Sequence, residues 1–458
     1  MNITKSIERL FKKYLPSPFT IAILLTIFTM VLALLFTKPQ SEGNHFLNIL
    51  SFWEQGIWNT SLLVFAYQMM LILVLGHVLV LSKPVNKFIM SLTKYTTNTV
   101  SAVVLVSVTT MLVAFFNWGL GLIFGAILAR KVGEHAQNNQ IKINYPLVGA
   151  SGYVGLMVWH GGISGSAPIK VAESNHLKDL MQGISSSEIL NQLPESINFN
   201  TTVFSWWNLV LFTVLLIVIP FVLTRIAKST EATNYHLENY QFDTTKSDDL
   251  DGAEKLDYSK WLAIIFGSVL LLTFVVRYYE NILNLQITPN MLNFFMLGLA
   301  IILHGSFFSF LKAVEEAIKG TSGILIQFPL YFGIMGIMKS TGMVVMISDF
   351  FSSIATTTTL PIFTFFSAGL VNIFVPSGGG QWAIQGPIVI ESALKLGVPL
   401  PKAIMALAYG DQITNMLQPF WALPLLAITK LKAKEILPYT LILMLVGIVI
   451  YILGLLLL

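Results

Sequence analysis

Cysteine is absent from the 458-residue chain, which excludes disulfides and thiolate metal sites outright. Charge is scarce as well: Asp, Glu, Lys and Arg make up 11% of the residues, against about 25% in a soluble domain. So few ions cannot cover a solvated surface. No basic stripe interleaved with aromatics is present, which argues against nucleic acid as a partner. No G-x-x-x-x-G-K-[ST] sequence occurs, so ATP-driven transport by this chain is not expected. An H-E-x-x-H metal pair is missing too. The stretch Gly162-Ile163-Ser164-Gly165-Ser166 fails the G-x-S-x-G elbow at its last position.

What is present is apolar. Hydrophobic residues make up 55% of the chain, and the mean hydropathy is +0.73. They fall in blocks, among them Ile21 to Leu35, Leu62 to Leu81, Leu209 to Leu223, Leu262 to Val276 and Leu441 to Leu458. A bilayer requires about 20 such residues per helix, so the expected fold is an all-α polytopic membrane protein. The net charge of +4 is accounted for by loops facing the cytoplasm. Lys5, Arg9, Lys12 and Lys13 place the N-terminus there. The first apolar run lacks a small-residue cleavage site and is read as a retained span.

Spans near 19–37 and 58–82 enclose an outer loop at 38–57. Lys83, Lys87 and Lys94 then mark a cytoplasmic loop. Residues 96–131 are uncharged until Arg130 and Lys131, with basic flanks on both sides and too little length for two full spans. They are expected to form a re-entrant hairpin turning at Asn117-Trp118-Gly119, a geometry tolerated only inside protein or along a wet cavity. Residues 145–175 cross outward with an interruption at Trp159 to Pro168, where Gly161, Gly162, Gly165 and Pro168 break the helix. A span at 203–226 follows. The segment 227–258, with Asp248, Asp249, Asp251 and Glu254, reads as a solvated linker, and 227–286 as a cytoplasmic linker with its linking span.

The pattern recurs over 287–458: two spans, an uncharged hairpin at 350–395 broken at Val375 to Gln381, and a broken helix at 400–430 interrupted at Ala408 to Pro419. Shifting the numbering by 260 carries Gly76 to Gly336, Ser107 to Ser367, Asn117 to Ser377 and Gly119 to Gly379; a shift of 255 carries His160 to Asn415. With an odd number of crossings between equivalent elements, residues 1–226 and 287–458 form two inverted repeats. The total is about nine transmembrane spans, two re-entrant hairpins entering from opposite sides, and two discontinuous helices. A binding site is expected near the midplane, at the two interruptions.

Broken helices expose N–H groups that suit an anion and carbonyls that suit a cation. Candidate substrate contacts are Asn117, Trp118 and Gly119 at the first tip, and His160, Gly161, Gly162, Ser164 and Ser166 at the first break. In the second half they are Ser377, Gly378, Gly379 and Gly380 at the tip, and Thr414, Asn415 and Gln418 at the break. Such small residues also let membrane helices pack closely. The lack of Arg and Lys in either interruption counts against polyanions and favours a small carboxylate, its tail resting on Trp118, Trp159, Trp382, Phe420 or Trp421. Trp206 and Trp207 read as anchors at the lipid interface. Asp411, Asn117, Ser377 and Asn415 are candidates for a coupling ion, sodium or proton, with no other metal or cofactor expected. His160 could carry a proton or act as a neutral donor; Asp411 could bind the ion or satisfy backbone at the break. A C4-dicarboxylate or amino-acid carrier, a channel and an intramembrane enzyme stand as alternatives.

Three stretches carry a resemblance: Trp159 to Pro168, Val375 to Ala383, and Tyr409 to Trp421. Over essentially its whole length the chain resembles the AtoE family of short-chain fatty acid transporters, within the ion transporter superfamily. The resemblance implies a bacterial inner-membrane carrier for acetoacetate, butyrate or similar acids, driven by a proton or sodium gradient. It also implies a mobile domain of hairpins and broken helices that slides against a scaffold, often in a homodimer. By position, Asn117, Ser377 and the Thr414-Asn415 pair match places where such carriers bind carboxylate and cation.

Overall fold

The computed structural model describes residues 3–39, 44–181, 187–237, 252–283 and 288–458. Among these the structure is helical throughout and holds no strand, only one isolated bridge between Ile143 and Thr233. Seven helices are long and apolar enough to cross a membrane.

The chain opens with α1 (Ile3–Tyr14) and the first long apolar helix, α2 (Pro18–Phe36), which starts at a Ser17 cap followed by Pro18, the order that suits a helix N-terminus. The expected outer loop at 38–57 instead contains α3 (His45–Ile57). Gly56 explains why it packs: a Cβ there would stand 2.4 Å from the Phe332 carbonyl oxygen and 2.9 Å from Gly336 Cα. Counting charge alone misses such a contact, because small residues, not apolar bulk, bring membrane helices together. Next come α4 (Thr60–Leu81) and the short α5 (Lys83–Thr93).

The first hairpin is α6 (Thr99–Phe116) and α7 (Trp118–Asn138), separated by the extended residue Asn117. The limbs run antiparallel, with Gly121 facing Ala114 and Gly125 facing Thr110. Arg130 and Lys131 do not end it as the sequence reading supposed. α7 continues past them, because Glu134 one turn on pairs with both, at 2.8 Å to each, and Arg130 is buried.

α8 (Tyr145–Ser151) is followed by irregular backbone and a 3-10 turn at Val154–Met157, and α9 (Ser166–Ala172) begins only after a second irregular stretch. The first discontinuous helix is therefore interrupted from Gly152 onward. Pro168 lies inside α9, in the first turn, where its missing N–H costs nothing. Short helices α10 (His176–Met181) and α11 (Ser187–Gln192) precede α12 (Trp206–Ser229).

The start of the linker read as solvated is packed: Leu237 is buried, and its N–H and carbonyl both bond the Gln137 side-chain amide of α7. The acidic positions Asp248, Asp249 and Asp251 lie outside the described residues. α13 (Glu254–Asp257) leads into α14 (Lys260–Leu283), whose residues are mostly exposed.

The second half holds α15 (Pro289–His304), α16 (Phe307–Ala317), α17 (Ser322–Ser340), α18 (Met343–Ser353), the hairpin α19 (Leu360–Phe374) and α20 (Gly378–Leu396), then α21 (Leu400–Thr414), α22 (Pro419–Thr429) and α23 (Ala433–Leu457). α5 and α18 start 260 residues apart, as do α7 and α20. The hairpin limb begins at Leu360, not 350, because α18 occupies the preceding residues. α21 runs unbroken through Asp411 to Thr414, so the second interruption is confined to 415–418. Pro401 sits in the first turn of α21, where a missing N–H breaks nothing, and Gly410 serves packing: a Cβ there would stand 2.1 Å from the Phe365 carbonyl oxygen of α19.

Candidate functional site

Both hairpin tips are built alike. Asn117 Oδ1 accepts the Leu120 N–H at 2.9 Å and Ser377 Oγ accepts the Gly380 N–H at 3.2 Å, so each side chain caps the helix that follows it. The first tip is tied to the first break, with the Trp118 N–H donating to Ser164 Oγ at 2.8 Å and the Ile163 N–H to the Phe115 carbonyl at 2.8 Å. Gly162 makes this approach possible, since a Cβ would stand 2.3 Å from that carbonyl oxygen. Gly119 faces Ile72 of α4.

The second tip crosses to the same place. Gly378 lies under Trp159 and His160, where a Cβ would stand 2.8 Å and 2.9 Å away, and Gly379 is exposed with Ser166 as its nearest neighbour. Gly380 faces Met335 of α17. Trp118 packs against Trp159 and Trp421 with ring centroids at 5.8 Å and 5.3 Å, and Phe65 of α4 closes the group at 6.3 Å from Trp118. Of the residues proposed as platforms for a tail, one is placed elsewhere and another, beside Trp421, has its ring face covered. Trp382 is sunk in a separate apolar cluster beside Ala167 and Val171, with its indole N–H on His176, and Phe420 is stacked flat on Phe328.

The first break is tied to α21 by a buried contact between an imidazole and a carboxyl group. His160 and Asp411, 0% and 1% exposed, bond through Nδ1 and Oδ2. His160 Nε2 accepts the Ala167 N–H at 3.0 Å, so that nitrogen carries no hydrogen and the proton of the neutral ring sits on Nδ1, facing Asp411. The bland reading of Asp411, satisfying broken backbone, does not fit: its carboxylate touches the imidazole, while Oδ1 is buried with no partner. Gly161 is held by Asn208, whose Nδ2 donates to the Gly161 carbonyl at 2.9 Å.

Sequence reasoning missed the side chains that fix this geometry. Gln412 Oε1 accepts both the His160 and Gly161 N–H groups at 2.7 Å and 3.1 Å, while its Nε2 donates to Tyr451 at 2.7 Å. Asn372 Nδ2 lies 2.7 Å from the Asp411 carbonyl oxygen, 2.9 Å from Thr414 Oγ1 and 2.7 Å from Asn415 Oδ1. Gln418 Nε2 donates to the Asn372 carbonyl. The available signal was an amide in the middle of an uncharged apolar limb, which is expensive unless it has a task. Among the described residues no group of three or more His, Asp or Glu could hold a metal ion.

Comparison with known proteins gives this site a context. The family model for short chain fatty acid transporters matches residues 1–458. The chain belongs to that family. Two curated relatives, each named provisionally as a short-chain fatty acid transporter, are similar throughout. One from Escherichia coli (strain K12) is 36% identical over 99% of this chain and 98% of its own. One from Haemophilus influenzae is 35% identical over 97% and 96%. Two solved transporter structures align at 14% identity: Neisseria gonorrhoeae MtrF, with TM-score 0.44 over 97% of each chain, and Alcanivorax borkumensis YdaH, with TM-score 0.43 over 96% of this chain and 98% of its own. The chain is a multi-pass membrane transporter and not an enzyme.

Proposed function

We propose that this short-chain fatty acid transporter family member is a secondary carrier that moves monocarboxylates such as butyrate or acetoacetate together with a proton across a bacterial inner membrane, its N-terminus in the cytoplasm. The observation that carries this reading is the buried His160–Asp411 pair linking the first break to α21. Its Asp411 Oδ1 has no partner, so a second proton can bind there without displacing any hydrogen bond. A buried ion that loses its charge no longer carries a desolvation penalty, which lets proton uptake alter the energy of moving this module through the membrane.

Sodium has less support. The oxygens best placed for it, on Asp411, Thr414 and Asn415, already surround the Asn372 amide. A cation would have to displace that amide. Equal offsets between helices of the two halves favour a repeat, and the inverted arrangement with about nine spans rests on the charge pattern of the loops. The contacts of the tips with α4 and α17 through Gly119 and Gly380 are small and smooth, as an elevator-type movement against a scaffold requires. A homodimer formed through the scaffold fits that scheme.

The test compares wild type with Asp411→Asn in proteoliposomes. The asparagine carbonyl still accepts the His160 Nδ1–H, so the fold is expected to persist. Exchange of labelled acetoacetate between equal pools should survive, while acceleration by an inward proton gradient is lost. Retained acceleration would remove Asp411 from coupling.

A further inference from the structure

The carrier reading leaves open where the acid's hydrocarbon tail goes, and the molecule offers a place that no relative's name assigns. A cavity of about 410 Å³ lies where the N-terminal helices, α17 and α19 meet the second break. That size is in the range of small-molecule sites, about 300–1,000 Å³. Its walls are apolar, with Phe11 from α1, Leu25 from α2, Ile373 from α19 and Met444 from α23. No Lys or Arg lines it. Tyr331 and Gln418 also line it.

Those two side chains point to a ligand. The Tyr331 hydroxyl and Gln418 Oε1 are both buried without a hydrogen-bond partner, with the residues 2% and 5% exposed. Buried polar atoms in folded proteins are nearly always paired, and leaving one unpaired is costly. The Tyr331 ring is fixed by the edge of Phe420, centroids 5.2 Å apart, so rotation into the packed interior is restricted. A carboxyl group supplies what both atoms lack, an acceptor for the phenol O–H and, when protonated, a donor for the amide oxygen.

We propose that this cavity is the acyl-tail subsite of the transport site. It takes an unbranched aliphatic monocarboxylic acid with its carboxyl group at Tyr331 and Gln418 and its chain between Phe11, Leu25, Ile373 and Met444. The inference rests on the carrier reading above. It makes the apolar lining from Phe11 on α1 and Leu25 on α2 a determinant of chain length. It also predicts exclusion of a dicarboxylate, whose second charge would enter an apolar space with no counter-ion. The acyl chain of a membrane lipid has the same chemistry as the tail, and the experiment separates the two sources.

The experiment measures inhibition of labelled acetoacetate uptake by unlabelled acids of two to eight carbons, in proteoliposomes of wild type, Leu25→Trp, Phe11→Ala and Tyr331→Phe. Leu25→Trp fills the cavity, so longer acids should lose affinity by about fourfold for each methylene excluded, while acetate is unaffected. Phe11→Ala enlarges it and should move the optimum to longer acids. Because Phe11 is only partly buried, on a short helix at the chain start, this variant decides the matter should Leu25→Trp fail to insert. Tyr331→Phe should raise KM for every acid by a similar factor and leave the chain-length profile unchanged. Active Leu25→Trp and Phe11→Ala carriers with the wild-type profile would overturn the subsite and leave the carrier reading intact; that is the result expected if a lipid chain fills the cavity. Wild type without saturable uptake of any acid would overturn both.

Discussion

Asp411 and His160 are among the least exposed residues of the chain, and a buried pair of this kind is held by both partners or by neither. Removing one side by His160→Ala strands the carboxylate in a dry site and should cost about 3–5 kcal/mol, read as a large loss of thermal stability in detergent. Asp411→Asn, which keeps the hydrogen bond, should lose far less. Equal losses would show that charge plays no part. The glycines argue in the same way. Gly410→Ala sets a methyl group against the Phe365 carbonyl and should destabilise by about 1–3 kcal/mol, whereas alanine at Gly397, with nothing within 4 Å, meets only its left-handed backbone.

A second residue-scale prediction concerns pH. His176 on α10, outside the spans, has its imidazole pKa pushed below the ordinary 6.5 by burial, with Lys170 helping and Glu173 and Asp179 opposing. Its Nε2 accepts the Trp382 indole N–H at 3.0 Å, which only the neutral ring can do. The contact is thus complete above pH 6.5 and lost as pH falls through the lowered value. The hydrogen-exchange protection of residues 176–181, taken relative to the intrinsic exchange rate at each pH, should fall on acidification from pH 7.5 to pH 5 in wild type, and His176→Gln should remove that dependence. A flat wild-type profile would contradict it.

At the scale of elements, the hairpins and breaks were legible because their signals are coarse: an uncharged stretch between basic flanks, and glycine with proline where a helix must stop. α3 was not, since its place depends on Gly56 meeting Gly336 across the fold, a contact with no local trace. The second break was read too early because Gly410 looks like a helix breaker but serves as a contact point with α19. The pairing of His160 with Asp411 lay beyond reach for a similar reason. Each residue stands out alone as an intramembrane ionisable group, while what holds them together, such as the Gln412 side chain of α21 accepting the His160 N–H, leaves no local trace. The opposite entry of the hairpins is open to direct measurement in this cysteine-free chain. Cysteines at the exposed positions Asn139 and Lys395, just past α7 and near the end of α20, should react with an impermeant reagent from opposite sides of the membrane. Reaction from one side would contradict the inverted repeat.

At the scale of the whole molecule, two halves bring two capped tips and two breaks to one centre beside a buried carboxylate oxygen without a partner, the arrangement on which the proposed proton and carboxylate binding rests. The central claim is proton-coupled movement of a short monocarboxylate. The measurement that tests it most directly is the initial rate of labelled acetoacetate uptake into proteoliposomes, corrected for protein-free liposomes, with a proton or a sodium gradient imposed separately. The account predicts saturable uptake that rises with the inward proton gradient and ignores sodium. Saturable uptake driven by sodium alone would contradict the role given to Asp411, and uptake no faster than through protein-free liposomes would contradict the carrier itself.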